Sequence, residues 1–255
     1  MVSIVKCQLS NIEQLRAVFL QELNAQVRYD AAHARRGTTH YLIRHDGRDI
    51  GYGAIKDAHE SRGTAFEFYL LPPFRKKALD LLRGLIDASG ADALECQTND
   101  VFYTSLVRQL SNDVTSDTVL FAVGHSNHLA SVDGVFRGRQ KTDRVFEHHT
   151  EPVGDFVIEA RGEIVSTGGF LLHYNPPFAD LFMEVREDVR RRGYGSFLIQ
   201  ELVTECYLAG RVPAARTGVD NIASQRTLLK GGLRECGRML RAVLAPEQST
   251  PTHQR

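Results

Sequence analysis

Hydrophobic positions along this 255-residue chain switch between strand-like and helix-like spacing in an order that occurs twice. In the first half, Tyr41-Leu42-Ile43 and Ile50-Gly51-Tyr52 flank a charged hairpin turn; Phe66-Glu67-Phe68-Tyr69-Leu70 follows, then a basic turn and a helix. The second half repeats this with Phe156-Val157-Ile158, Ile164-Val165 and Leu181-Phe182-Met183-Glu184-Val185. Gly47, Ile50, Gly53 and Arg75 recur 115 positions later as Gly162, Val165, Gly168 and Arg190. Such self-similarity predicts two related domains rather than one enlarged one. Their expected limits are 1–125 and 126–245, with a mixed polar connection from Gly124 to Arg144 and a polar tail over 246–255. Asn99, after Leu94-Glu95-Cys96, matches Asn221 after Ala214-Ala215-Arg216.

At the N-terminus, Ser10 lies three residues before Glu13, as in a capping box, and Ile12, Leu15, Val18, Phe19 and Leu23 keep helical spacing. A helix over Asn11–Asn24 follows, with a second over Gln26–Arg36. Val114–Val123 reads as the strand completing the first sheet, and Cys236–Leu244 as the last strand of the second copy.

The segment Arg190-Arg191-Arg192-Gly193-Tyr194-Gly195 joins a strand to a helix predicted over Arg191–Ala209. First-turn N–H groups of a helix have no internal acceptor, and the helix dipole favours negative charge there. Two glycines remove side chains that would keep a ligand from the backbone, so a phosphate or pyrophosphate site competes with a plain strand-to-helix turn bearing a solvated arginine face. A Walker loop is excluded because no Lys-Ser or Lys-Thr follows the glycines, and the three-glycine dinucleotide spacing is missing.

Arg190, Gly193 and Gly195, with Val185 in the preceding strand, resemble the acyl-CoA signature of the GCN5-related N-acetyltransferase (GNAT) superfamily: Arg or Gln, two residues, Gly, one residue, Gly or Ala. Glu187 stands where that family often has proline. Val212 to Asn221, then Ile222 to Leu229 and Lys230-Gly231-Gly232-Leu233, resemble its next strand, Asn, short helix and final strand. The resemblance implies an α/β fold (α+β by some schemes) of two tandem GNAT-like domains, each a mixed, mostly antiparallel sheet flanked by helices. It also implies acetyl-CoA as co-substrate and an amine-bearing acceptor. Cofactor contacts fall on Met183, Glu184, Val185, Arg190, Arg191, Arg192, Gly193, Tyr194, Gly195, Ser196, Asn221 and Ser224. Asn221 is a helix cap, a neighbour of the pantetheine arm, or both; Ser224 is a ligand contact or an ordinary first-turn residue.

The first copy reads Arg75-Lys76-Lys77-Ala78-Leu79-Asp80 at the corresponding turn. Without the glycines, and with Asp80 opposing an anion, it is expected to be a scaffold or a substrate-site wall.

Glu184 is the catalytic candidate, for amine recognition or general-base help, against the alternative of a strand carboxylate paired with an arginine. Where the family often places a Tyr acid, seven residues after the Asn, this chain has Leu228. Tyr174 or Tyr194 is left to compensate, or the thiolate departs and takes its proton from solvent. In the loop Phe170 to Phe178, Tyr174 and Asn175 are candidate substrate contacts beside Pro176 and Pro177.

Lys plus Arg and Asp plus Glu are balanced at 31 each, so no global field draws nucleic acid or an acidic membrane, and neither partner is expected. Cys7, Cys96, Cys206 and Cys236 are scattered, and His125, His128, His148 and His149 form no metal spacing and are expected to face solvent, so no metal is expected. With no signal peptide or long apolar span, the expectation is a cytoplasmic monomer or homodimer. A catalytically inactive acyl-CoA sensor or protein-interaction module is the alternative to the enzyme.

Overall fold

A computed structural model describes residues 1–34, 37–56, 63–124 and 131–244. The expected boundary at 125–126, His125, His128 and the polar tail lie outside the described residues. Two compact units interleave along the chain: one holds Met1–Asn24, Ala32–Ser116 and the chain from Met239, the other Ala25–Ala31 and Asp117–Arg238. No helix among the described residues is long and apolar enough to cross a membrane.

The first unit contains β1 (Val2–Cys7), α1 (Leu9–Leu23), β2 (Thr38–His45), β3 (Arg48–Lys56), β4 (Thr64–Leu70), α2 (Ala78–Ser89), β5 (Ala93–Gln97) and α3 (Val101–Leu110). Strands follow the order β1-β2-β3-β4-β5, all antiparallel neighbours except the parallel pair β4–β5. Ile43, Phe68, Leu82, Leu85 and Leu94 make the core beneath α2 and α3.

Most of the second unit is β6 (Val114–Val123), β7 (Val135–Gly138), β8 (Phe156–Ala160), β9 (Glu163–Leu171), β10 (Phe178–Val185), α4 (Tyr194–Leu208), β11 (Val212–Gly218) and α5 (Ile222–Lys230). Its order is β6-β11-β10-β9-β8-β7, with β10–β11 parallel. Leu198, Ile199, Leu202 and Cys206 of α4 bury against Ile158, Val165 and Leu181. The last strand, β12 (Leu233–Val243), belongs to the second unit through Arg238, and Met239–Val243 pair antiparallel with β5.

The repeat is conserved in backbone register. Leu42 pairs with Tyr52, and 115 positions on Val157 pairs with Thr167; Tyr69–Tyr52 likewise becomes Glu184–Thr167. A bulge follows Ile43 and again Ile158. Both hairpin turns use two left-handed residues, Asp46-Gly47 and Arg161-Gly162.

Several expected elements are corrected. α1 starts two residues early, because Asn11 Oδ1, not Ser10, supplies the local tie by accepting the Gln8 N–H at 3.0 Å. The helix over Gln26–Arg36 is absent as such: Asp30–Ala32 is one 3-10 turn, residues 35–36 lie outside the described set, and the Val27 N–H is given to Asn175 Oδ1 at 2.6 Å. β6 does not simply complete the first sheet, since Thr118–Ala122 pair with β11 and Val119 and Phe121 enter the second core. β12 starts at Leu233, before Cys236, and its last five residues bond to the first unit's β5. α4 starts at Tyr194 because Arg191 at φ 66° and Gly193 at φ 94° are outside right-handed helical space.

The match for Asn221 is Asp100, not Asn99. Asp100 caps α3 through the Tyr103 N–H at 3.0 Å, as Asn221 caps α5 through the Ser224 N–H at 3.0 Å. Their own amides bond back to Gln97 and Gly218 in the same way.

Candidate functional site

The site is built where two parallel strands part. β10 and β11 are in register only at Phe178–Val212, Ala179–Pro213 and Asp180–Ala214. Beyond Asp180, β10 stays bonded to β9 on one edge, and β11 to β6. From Leu181 to Val185 the other edge of β10 therefore has no strand partner among the described residues, leaving backbone donors and acceptors for a ligand.

The turn after β10 is held from beneath. Arg186 N–H bonds to Val165 O at 3.0 Å, and Arg190 Nε donates to Val185 O at 3.2 Å. The first amide to find a helical partner is Phe197, on Gly193 O at 3.0 Å, so the amides of Tyr194, Gly195 and Ser196 head α4 without backbone acceptors. Arg190, Arg191 and Arg192 are exposed beside them. Each glycine has a structural reason as well: Gly193 is left-handed, and a Cβ on Gly195 would stand 3.0 Å from Thr227 Cγ2 and 3.3 Å from Val185 Cγ2. The turn thus sets amides without backbone acceptors beside three exposed arginines.

The Tyr194 ring packs against the second core, and its hydroxyl donates to Asp133 O at 3.3 Å. Met183 and Val185 pack partly against that core while their backbone forms the open edge. Asn221 is a cap through Oδ1, and Ser224 supplies the capped N–H. Leu228, at the expected acid position, is buried in the second core at 3% exposure.

Glu184 is the most constrained member. Its carboxylate accepts the N–H groups of His149, Thr150 and Glu151 at 2.9, 3.2 and 2.9 Å and the Thr150 hydroxyl at 3.1 Å. Burial alone would raise its pKa, but these donors outweigh burial and hold it at about 2. Glu184 thus straps residues 149–151 to β10. His148, expected to face solvent, is folded into the strap: its ring stacks on Phe146 at 4.8 Å, and its nitrogens lie 3.0 Å from Glu151 O and 3.1 Å from Thr167 Oγ1. A cavity of about 270 Å³ lies alongside, lined by Phe146, His149, Glu184, Val185, Arg186 and Arg190 among others. The strap was invisible in sequence, apart from the adjacent His148-His149.

Tyr174 and Asn175 lie in the β9–β10 loop, both 1% exposed. Asn175 spends its whole amide on backbone, accepting from Val27 and donating to Ala25 O at 3.2 Å. Burial pushes the Tyr174 hydroxyl well above its ordinary range, with the Asp180 carboxylate adding to the effect. Asp180, the last residue in parallel register, meets Arg216 Nε at 3.0 Å and His173 Nε2 at 2.9 Å. Of that polar cluster at the closed end of the cleft, Asp180 and Arg216 carried no sequence signal.

The first unit repeats the frame without the cradle. β4 and β5 pair only at Thr64–Ala93 and Ala65–Leu94, and Arg75 Nε donates to Leu70 O at 3.0 Å, as Arg190 does to Val185 O. Its guanidinium is already taken: it pairs with Glu22 and lies 4.8 Å from the Phe102 ring. Tyr69 holds the other Glu22 oxygen at 3.0 Å, so the chain's own carboxylate occupies the arginine. Left-handed residues are absent between Phe74 and Asp80. No group of three or more His, Cys, Asp or Glu suited to a metal ion occurs among the described residues.

Residues 8–123 match a family model described as acetyltransferase (GNAT) domain, and residues 127–232 one described as acetyltransferase (GNAT) family. No curated protein matches the chain. Among solved structures, an acetyltransferase of the GNAT family from Colwellia psychrerythraea is similar at TM-score 0.73 and 16% identity, covering 95% of this chain and 100% of its own. A GCN5-related N-acetyltransferase from Sphaerobacter thermophilus gives TM-score 0.56 at 12% identity, covering 96% of each chain. A tandem GNAT protein from the clavulanic acid biosynthesis pathway gives 0.55 at 12% identity, covering 96% of this chain and 99% of its own. At these identities the likeness is one of fold.

Proposed function

Because the chain belongs to the GNAT acetyltransferase family, with two of its domains in tandem, we propose that it transfers an acetyl group from acetyl-CoA to an amine, with the second unit as the working copy. The observation that carries this reading is the pairing of three acceptor-free amides at the head of α4 with the unpartnered edge of β10. In this assignment the amides from Arg191 to Ser196 hold the pyrophosphate, with Arg190, Arg191 and Arg192 supplying positive charge. The Met183–Val185 edge meets the pantetheine amides, and the Asn221 and Ser224 side chains line the same arm. Bound acetyl-CoA supplies an activated thioester; the chain's part is to place the amine beside it, which lowers the entropic cost of reaction. A Val185 backbone N–H directed at the thioester oxygen would stabilise charge developing there.

Glu184 serves this chemistry through position. A carboxyl held at about 2 with four donors is a poor base for an ammonium ion. Its work is to fix the 149–151 strap, which places His149 in the cavity beside Val185, and His149 is the residue we assign to take the amine proton. Tyr174 and Asn175 are assigned as a rigid back wall of the acceptor side.

Leu228, buried where an acid would stand, favours a second reading: an acyl-CoA-binding module without turnover. One assay separates the two. Free CoA released from acetyl-CoA is measured across a panel of amines, beside direct binding of acetyl-CoA. Amine-dependent release supports transfer, binding without release supports the sensor, and no binding refutes both.

A further inference from the structure

One face of the second sheet gathers charged side chains beside the open edge of β10. Asp180 is in register with Ala214; Arg216 lies two residues beyond Ala214, and Glu184 four beyond Asp180, so all three side chains share a face. It is the face opposite α4, since Ala179, Leu181 and Ala215 enter the core with that helix. Glu184 is spent on the four donors of the strap. Asp180, 5% exposed, turns Oδ2 to Arg216 and His173, and its buried Oδ1 makes no aligned hydrogen bond.

Glu151, in the strap, is the carboxylate on this face that is left unspent. Its backbone is fixed, with the N–H on Glu184 Oε2 at 2.9 Å and the carbonyl oxygen 3.0 Å from His148 Nδ1. Its side chain is exposed and makes no hydrogen bond or ion pair among the described residues. The carboxyl is nevertheless within electrostatic reach of Asp180, Arg216, Glu184 and His148, which places it along β10 between Asp180 and Glu184. Partial burial and the charges of Asp180 and Glu184 raise its pKa, with Arg216 working against them. A carboxyl that its neighbours push up and no cation holds is short of a counter-ion.

That counter-ion is a group other than the reacting amine. A carboxylate beside an ammonium stabilises its charge and so opposes the proton loss that attack on a thioester requires. The reacting amine belongs by His149, which lines the cavity beside Val185. Glu151 follows His149 by two residues, at most about 7 Å of chain. A cation at Glu151 and an amine at His149 are therefore within the span of one short molecule. Resting on the transfer reading of this site, we propose that the acceptor is a small aliphatic diamine and that Glu151 holds its non-reacting ammonium group. Asp180 and Glu184 add two negative charges around that group against the positive charge of Arg216.

1,4-Diaminobutane and butylamine test this on the full chain, since they share a four-carbon chain and differ by the second ammonium group. In CoA release from acetyl-CoA, the diamine should show a KM about fivefold below that of butylamine, the upper range for an ion pair open to solvent. Glu151→Gln should erase the preference by raising the KM of the diamine, and Glu151→Asp should restore part of it. Both variants keep the backbone bonds of residue 151, so their circular dichroism should match wild type. Calorimetry of the two amines with CoA present reads the same preference without turnover. Equal KM or equal affinity for the two amines, or a preference that survives Glu151→Gln, would overturn the diamine assignment. Release with butylamine and no preference overturns that assignment and spares the transfer reading. No release with either amine, beside a fivefold difference in affinity that depends on Glu151, refutes transfer and upholds the role of Glu151.

Discussion

Replacing Glu184 with Gln separates an anchor from a base. The wild-type carboxylate accepts three N–H groups and one hydroxyl, and its pKa stands at about 2 against an ordinary 4.5. A shift of that size corresponds to about 3 kcal/mol at neutral pH, reduced to about 2 kcal/mol by solvent screening at the edge of the strap. For a chain of this length, a loss of about 2 kcal/mol lowers Tm by roughly 4–8 °C. The sign with pH is set by a depressed carboxyl: its stabilisation is complete above about pH 4.5 and is lost as pH falls toward 2. Urea titrations at pH 7 and pH 3 should therefore show the Gln variant well below wild type at the first pH and closer to it at the second. In amine-dependent CoA release, an anchor gives a loss that tracks unfolding of the strap and leaves the pKa of the pH–rate profile in place. Loss of kcat by roughly 10²–10⁴-fold, with Tm unchanged and the basic limb abolished, would refute the anchor and restore Glu184 as base.

Arg190→Ala should weaken acetyl-CoA binding while Arg75→Ala leaves it unchanged, because Glu22 already occupies Arg75; equal losses in calorimetry would contradict a single working copy. Asn175→Ala leaves the buried Val27 N–H without its acceptor, a cost of about 1–3 kcal/mol, seen as faster hydrogen exchange at Val27. Asp100 is raised to about 6, chiefly by burial, so its ionisation costs stability as pH rises from about 4 through 6. Asp100→Asn keeps the cap and removes that cost, and should stabilise the first unit by about 2 kcal/mol at pH 7 and by nothing at pH 3.5 in urea melts.

Much of the fold was legible because both strand pairs and helices announce themselves by spacing, and because the repeat of Gly47 and Gly162 is a repeat of left-handed turn geometry. Gly193 was readable for the same reason, since its φ is left-handed, whereas Arg190 was read from its spacing to the two glycines. What was not legible depends on partners distant in sequence. Nothing local tells Met239–Val243 to bond to β5, or Gln26 and Val27 to lie against Phe121 and Asn175 instead of continuing a helix. In sequence Glu184 stood for amine recognition or base help, or for a strand carboxylate paired with an arginine; that its bonds go to residues 149–151 was not legible, because those residues carry no motif. Asn99 was favoured over Asp100 because Asn matched Asn221 by type, whereas a helix cap needs only a side-chain oxygen.

The most direct test of the second unit as the acyl-CoA site is the affinity of the Gly193→Ala, Gly195→Ala double variant for acetyl-CoA, measured by calorimetry beside far-ultraviolet circular dichroism. Alanine at φ 94° and a Cβ at 3.0 Å from Thr227 both displace the amides at the head of α4. A folded variant that binds at least about tenfold more weakly, the equivalent of losing one charge-assisted bond, is the predicted result. A folded variant with wild-type affinity would show that the pyrophosphate is held elsewhere.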